Sequence, residues 1–268
     1  MSKIEEVIEY YPNGIIKEKG TKKDGKSVGK WFGCYETGEK EAESNYKDGR
    51  LEDSINWYKN GNKKWERTGY YDGKETGWYE NGNKEYEINI IDTLYHGKAT
   101  FWHENGQKDE EVSFINGKAD GKRTRWRESG EKIEESFYKD DKLNGKYISY
   151  FKNGNKDESG FYKDEKKEGK WTQWYENGQK KLEGTSKDGE LNGLYTSWYE
   201  NGQKQIEKTY KDGELDGLWT YWDKDGSKYK GKVIRKDDED GTFLYWYDDM
   251  KTKIKFHKTY KDGERDGL

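Results

Sequence analysis

Trp198-Tyr199-Glu200-Asn201-Gly202-Gln203-Lys204 is one copy of a run that recurs as Trp174-Tyr175-Glu176-Asn177-Gly178-Gln179-Lys180 and, with small changes, along most of the chain. The turn glycines Gly82, Gly106, Gly130, Gly154, Gly178, Gly202 and Gly226 are spaced 24 residues apart, and Gly14, Gly38 and Gly61 extend the series upstream. A fixed period of this length is the signature of a repeat array, in which each unit packs on its neighbours. Within one unit, Leu194 to Tyr199 is aromatic and β-favouring, Glu200-Asn201-Gly202 is a hairpin turn, Gln203 to Lys211 is a second strand, and Asp212-Gly213 turns again. The expected fold is therefore all-β. It is an elongated, twisted antiparallel β-meander of about eleven 24-residue hairpins without helices, on the order of 100 Å long. Residues 1–268 read as a single repeat domain, irregular near 50–97 and 227–260 and with its last unit incomplete at Leu268.

Composition alone points the other way. With 40% charged and 29% hydrophobic residues, the chain has the profile of one too polar to fold. Aromatic residues overrule that profile, because 12 Trp and 23 Tyr bury far more area than their number suggests, and they recur in phase. A formal charge of -4 lacks the basic excess of a nucleic-acid binder, so none is expected. Cys34 is the only cysteine, which leaves no internal disulfide and no multi-cysteine metal motif. No stretch has the length and apolarity of a membrane span, and the start has no signal-type apolar region. The expected location is the cytoplasm, with secretion only if a leader was removed before residue 1.

The side-chain faces depend on the first turn. A three-residue loop with Gly202 left-handed would set Trp198 opposite Lys204 and Thr196 opposite Ile206. A two-residue loop would set Trp198 opposite Gln205 and Thr196 opposite Glu207. The first is the expected register, since it gathers Trp198, the Lys204 stem, Ile206 and Tyr210 on one face. A Trp column then forms the structural spine: Trp57, Trp78, Trp102, Trp126, Trp174, Trp198, Trp222 and Trp246. Lysines two residues after each turn lay their stems over these rings. The glutamates from Glu43 to Glu207 are expected on the other, solvated side. A second aromatic set of opposite parity includes Trp171, Tyr175, Tyr195, Tyr199 and Trp219, and is expected at the surface as a contact face.

Tyr210-Lys211-Asp212-Gly213-Glu214-Leu215-Asp216-Gly217-Leu218-Trp219, with Trp222 and the turn at Gly226, resembles the bacterial variant of the MORN repeat. The match runs over essentially the whole chain. Proteins similar to this include bacterial antitoxins of the YwqK type, and MORN repeats more widely are implicated in scaffolding and in contact with membranes. The resemblance implies a non-enzymatic binding protein and carries no catalytic residues.

The residues themselves offer little chemistry. His96, His103 and His257 have no neighbours that suggest a triad or a zinc site, no cofactor motif is present, and Asp225-Gly226 in the calcium-like run Asp223 to Ser227 falls on the repeat turn. One departure stands out. Arg123, Arg125 and Arg127 alternate around Trp126 and project from one face, at the phases of Ala99, Phe101 and His103 one unit earlier. With Phe101 and His103 they are candidates for binding an acidic partner, a toxin surface or a phosphorylated head group, with a solvated arginine row balanced by Glu128, Glu131 and Glu134 as the alternative. The leading function is an interaction protein, most concretely an antitoxin or immunity protein covering a toxin with its aromatic face. The alternatives are a scaffold that self-associates through its C-terminal edge and a surface module for glycan, cell-wall or lipid head groups.

Overall fold

The computed structural model describes the backbone of residues 2–237, 240–247, 254–261 and 264–266, and the side-chain surroundings of residues 2–228, 230 and 231. The chain divides into two compact units, Met1–Glu131 with Tyr138–Asp141, and Lys132–Phe137 with Lys142–Leu268. Among the described residues there is no helix, and each unit is an antiparallel meander. The first runs from Ile4–Tyr10 and Ile16–Lys23 to Lys108–Ile115 and Lys118–Trp126, each long strand pairing with the next. The second runs from Gly145–Tyr150 through Lys156–Lys163, Lys166–Trp174, Lys180–Lys187, Gly193–Trp198 and Lys204–Lys211 to Glu264–Asp266. Leu268 and the side chain of Trp246 lie outside the described residues.

Where Asn or Asp precedes the glycine, its side chain closes the first turn. Gly202 is left-handed at φ 82°, Tyr199 N donates to Gln203 O at 2.8 Å, and Asn201 Oδ1 accepts from Gln203 N at 3.0 Å. The asparagine also joins successive hairpins: Asn153 Nδ2 donates to Glu176 O at 2.9 Å and Asn177 Nδ2 to Glu200 O at 3.1 Å. This explains why Asn, rather than another turn former, precedes the glycine.

The register combines the two alternatives. Trp198 faces Lys204, as a three-residue loop requires, but a bulge between Ser197 and Trp198 then sets Ser197 opposite Ile206 and Thr196 opposite Glu207. The extra residue on the second strand reverses the alternation above the turn. Its consequence is a correction: the glutamate column shares the Trp face. Lys180 Nζ lies 2.6 Å from Glu183 and Lys204 Nζ 2.6 Å from Glu207, while the same lysines stand 5.6 and 5.7 Å from the rings of Trp198 and Trp222 in the following hairpins. Lys40 sits closest, 4.2 Å from the Trp57 ring, and Lys63, Lys84, Lys108 and Lys156 repeat the contact over Trp78, Trp102, Trp126 and Trp174. The spine is a Glu–Lys–Trp ladder between successive hairpins.

The ladder makes stability depend on pH. At Glu43 the Lys40 hydrogen bond, then its charge, holds the carboxyl below its ordinary value. At Glu87, Glu111 and Glu183, burial pushes the pKa up, but two lysines at each carboxylate outweigh it and the net direction is down. A carboxyl depressed in the folded state stabilises the fold above its unfolded pKa, and that contribution is lost as pH falls through the folded value. The thermal midpoint is expected to hold from pH 7 to about 5 and to fall below about 4.5. Glu87→Gln, Glu111→Gln and Glu183→Gln together should flatten the fall in a melt-versus-pH series; an unchanged acid limb would contradict the ladder.

The opposite face holds the core. Trp31 and Trp171 are 6% and 4% exposed, and in the first unit Ile88, Ala99 and Val112 form a cluster with Tyr86, Phe101, Phe114 and Ala119. Trp171 lies flat on a bare backbone: a Cβ at Gly160 would stand 2.3 Å from its ring. Glycine is required there by close approach rather than by a turn.

Candidate functional site

The aromatic residues expected at the surface are structural. Tyr175 hydroxyl donates to Trp198 O at 2.8 Å and Tyr199 hydroxyl to Trp222 O at 2.9 Å, and Tyr35, Tyr58 and Tyr79 make the same bond one hairpin onward. Each is a side-chain-to-backbone bond of the kind that contributes about 1 kcal/mol net. Burial raises the pKa of Tyr35, Tyr58 and Tyr79, as expected of phenols tucked between successive hairpins. Trp171 is core, Tyr195 is half-buried edge-on to Tyr210 at 5.9 Å, and Trp219 is half-buried. Parity located these residues on one face but could not show that neighbouring hairpins fill the space over them.

The arginine row is likewise turned to structural use. Arg123 donates to Glu110 through Nε at 3.0 Å and Nη2 at 2.8 Å, and through Nη1 to Tyr138 hydroxyl at 3.2 Å, with its guanidinium 5.7 Å from the Tyr138 ring centre. The Glu110 hydrogen bonds raise its pKa further. Arg125 Nε lies 3.9 Å from Glu110, and Arg127 stands at the tyrosine position of its hairpin, its N–H donating to Glu131 O at 2.9 Å. His103 also occupies that position: its Nε2 is 3.1 Å from Trp126 O and 3.5 Å from Asp109. Phe101 packs at 6.4 Å on Tyr86 in the core. Arg123 and Arg125 both approach Glu110, which sequence reading did not connect with them, and Arg123 binds it in a fork.

An exposed surface lies elsewhere, at the second turns. In most units these turns carry charge, as in Lys23-Asp24-Gly25-Lys26, Lys47-Asp48-Gly49-Arg50, Lys163-Asp164-Glu165-Lys166 and Lys187-Asp188-Gly189-Glu190. Three consecutive turns in the first unit break the pattern: Gly69-Tyr70-Tyr71-Asp72, Ile91-Asp92-Thr93-Leu94 and Ile115-Asn116-Gly117-Lys118. Their apolar residues are exposed, with Tyr70 39%, Tyr71 50%, Ile91 45%, Leu94 45%, Tyr95 41% and Ile115 49%. The turns are tied together, since Thr93 N donates to Tyr71 O at 3.0 Å and Gly117 N to Tyr95 O at 2.8 Å. Adjacent turns with apolar tips make one continuous strip, of the kind that marks a contact site. The sequence signal was available: apolar residues stand where the lysines of the other turns stand.

Six segments match the MORN repeat variant: residues 6–24, 71–92, 95–116, 143–164, 167–188 and 191–212. Over those six segments the chain is similar to the MORN repeat variant. No curated protein matches it. MORN repeats are in general protein- or membrane-binding modules and typically non-enzymatic. The matched segments 71–92 and 95–116 contain four of the six strip residues, Tyr71, Ile91, Tyr95 and Ile115. Among the described residues, no helix is long and apolar enough to cross a membrane, and no group of three or more His, Cys, Asp or Glu is gathered to hold a metal.

Proposed function

We propose that this chain is a non-enzymatic protein-binding module that engages its partner through the apolar strip at Tyr70, Tyr71, Ile91, Leu94, Tyr95 and Ile115. The observation that carries this reading is the replacement of charged turns by exposed apolar ones over three adjacent hairpins, while the tyrosine and Trp–Lys columns of the sheet are engaged in contacts between repeats. Aromatic and aliphatic anchors of this kind supply most of the energy of protein interfaces. In its most concrete form the module is an antitoxin- or immunity-type inhibitor that covers a toxin. The arginine row serves the fold in this reading, and the strip replaces the aromatic face as the contact surface.

The test is a double substitution, Tyr71→Ser with Leu94→Ser. Both side chains are exposed, so the fold should change little, within about 0.5 kcal/mol each. Affinity capture from the organism that encodes the chain is expected to recover a stoichiometric protein with the unaltered chain and to lose it with the variant. Retention of the same partner at the same ratio would overturn the assignment.

A further inference from the structure

One hairpin of the second unit lacks the acid of the Glu–Lys–Trp ladder. Where the ladder is complete, two lysines close on one carboxylate. Lys74 and Lys84 reach Glu87 at 2.8 and 2.6 Å, Lys98 and Lys108 reach Glu111 at 2.8 and 2.5 Å, and Lys170 and Lys180 reach Glu183 at 2.9 and 2.6 Å. In the hairpin of Gly145–Tyr150 and Lys156–Lys163 the same two places hold Lys146 and Lys156, but the place of the glutamate holds Ser159. The register is unchanged: Lys146 pairs with Phe161 and Ile148 with Ser159, as Lys170 pairs with Thr185 and Thr172 with Glu183. Lys156 keeps its position 5.8 Å from the Trp174 ring centre. Among the described residues neither amine forms an ion pair, and the Ser159 hydroxyl has no hydrogen-bond partner. The acids nearby are already engaged. Glu135 and Glu183 pair with Ile148 and Thr172, which flank Ser159; the first is held by Lys132 at 2.8 Å and the Tyr150 hydroxyl at 2.9 Å, the second by Lys170 and Lys180. Asp157 accepts from the Ser149 hydroxyl at 3.4 Å. Exposed rings border the gap: Phe161, 54% exposed, is directly across from Lys146, and Phe137, 36% exposed, lies against Gly145, where an added Cβ would stand 2.8 Å from its own. Each is two residues beyond Ser159 or Glu135 on its strand and so shares their face.

We infer that Lys146, Lys156 and Ser159 bind the side-chain carboxylate of a partner protein, an Asp or Glu that stands beside an apolar residue. The chain itself shows what fits between two lysines so placed, since Glu87, Glu111 and Glu183 each accept from both amines. Serine stops short of the point that a glutamate carboxylate would reach, and its hydroxyl adds a donor to the two ammonium groups. An incoming carboxylate therefore finds charge-assisted hydrogen bonds, stronger than neutral ones, without displacing an internal partner. The rings decide between a peptide and a simple anion. Two lysines and a hydroxyl would also hold a phosphate, but a phosphate leaves Phe137 and Phe161 in water, whereas an apolar residue next to the acid covers them. This site lies in the second unit and does not depend on the turn strip of the first.

The experiment is an amide NMR titration of the full chain at low salt with the blocked peptide Ser-Leu-Glu-Leu-Ser. The same peptide with Gln in place of Glu, and inorganic phosphate, serve as comparison ligands. Saturable shifts at Lys146, Lys156 and Ser159 are expected with the glutamate peptide, absent with the glutamine peptide and reached only at higher concentration with phosphate. Lys146→Gln and Lys156→Gln should each weaken binding about fivefold. Ser159→Glu supplies the missing acid from within and should abolish binding, while Ser159→Ala should keep most of it. If Ser159→Glu disturbs the fold by circular dichroism, the two lysine variants, changed at exposed positions, carry the test. The strip variant Tyr71→Ser/Leu94→Ser should bind the peptide unchanged, which separates failure here from failure of the strip assignment. Absence of saturable shifts, an equal response to the glutamine peptide, phosphate binding as tight as the glutamate peptide, or undiminished binding by the lysine or Ser159→Glu variants would overturn the inference.

Discussion

Replacing Trp171 with alanine is expected to remove about 3–5 kcal/mol of stability, the usual cost of deleting a large buried aromatic side chain. The ring is 4% exposed, lies on the bare backbone of Gly160, and is packed by Tyr162 at 5.0 Å and Tyr147 at 6.0 Å with the Lys167 amine 4.0 Å above it. On the side of Gly160 there is no side chain to fill the space. Trp174, three residues later on the other face, is half-buried under Lys156 and should cost appreciably less on the same change. Gly160→Ala should also destabilise, since the added carbon meets a rigid ring at 2.3 Å. Urea unfolding followed by circular dichroism reads all three; a Trp171 variant no worse than the Trp174 variant would contradict the placement of the core.

The second large effect is expected at Arg123. Its fork with Glu110 is mostly shielded, with side-chain exposures of 28% and 20%, so removing one partner leaves a charge short of its complement. Arg123→Ala should cost about 2 kcal/mol, below the figure for a fully buried pair because water still reaches the site. Replacing both, as Arg123→Met with Glu110→Leu, should recover most of that loss, since the paired charges contribute little net stability over apolar groups of similar size. A double-mutant cycle measures the coupling directly. Coupling near zero would mean that the arginine row is a solvated surface after all.

The fold was largely readable because the repeat reports its own turns. The 24-residue spacing, the left-handed Gly202 and the Trp198–Lys204 pair all follow from local turn chemistry. What failed was alternation beyond the turn. The bulge at Ser197/Trp198 leaves no mark in the composition of the strand, yet it moves Glu207 to the face of Trp198 and turns a solvated column into an ion-pair ladder. Tyr175 and Tyr199 misled for a different reason. Their parity placed them on a face that a lone sheet would expose, but their hydroxyls reach a carbonyl 23 residues onward, a contact visible only when successive hairpins are stacked. Arg123 raised the same difficulty, since its partner Glu110 belongs to the preceding strand. The apolar strip was legible in principle, as a break in the Lys-Asp turns, but it fell where the repeat is least regular and drew attention as irregularity rather than as surface.

In the proposed reading the tyrosine and Trp–Lys columns of the sheet join repeats and the turn strip makes the partner contact. Hydroxyl-radical footprinting of the chain, alone and with its captured partner, tests this most directly. In the free chain Tyr71, Leu94 and Tyr95 should be oxidised rapidly and Trp31 and Trp171 slowly, and on partner binding protection should fall on the strip residues. Protection of Tyr175, Tyr199 and Arg125 with the strip unaffected would return the contact to the sheet face and contradict the account.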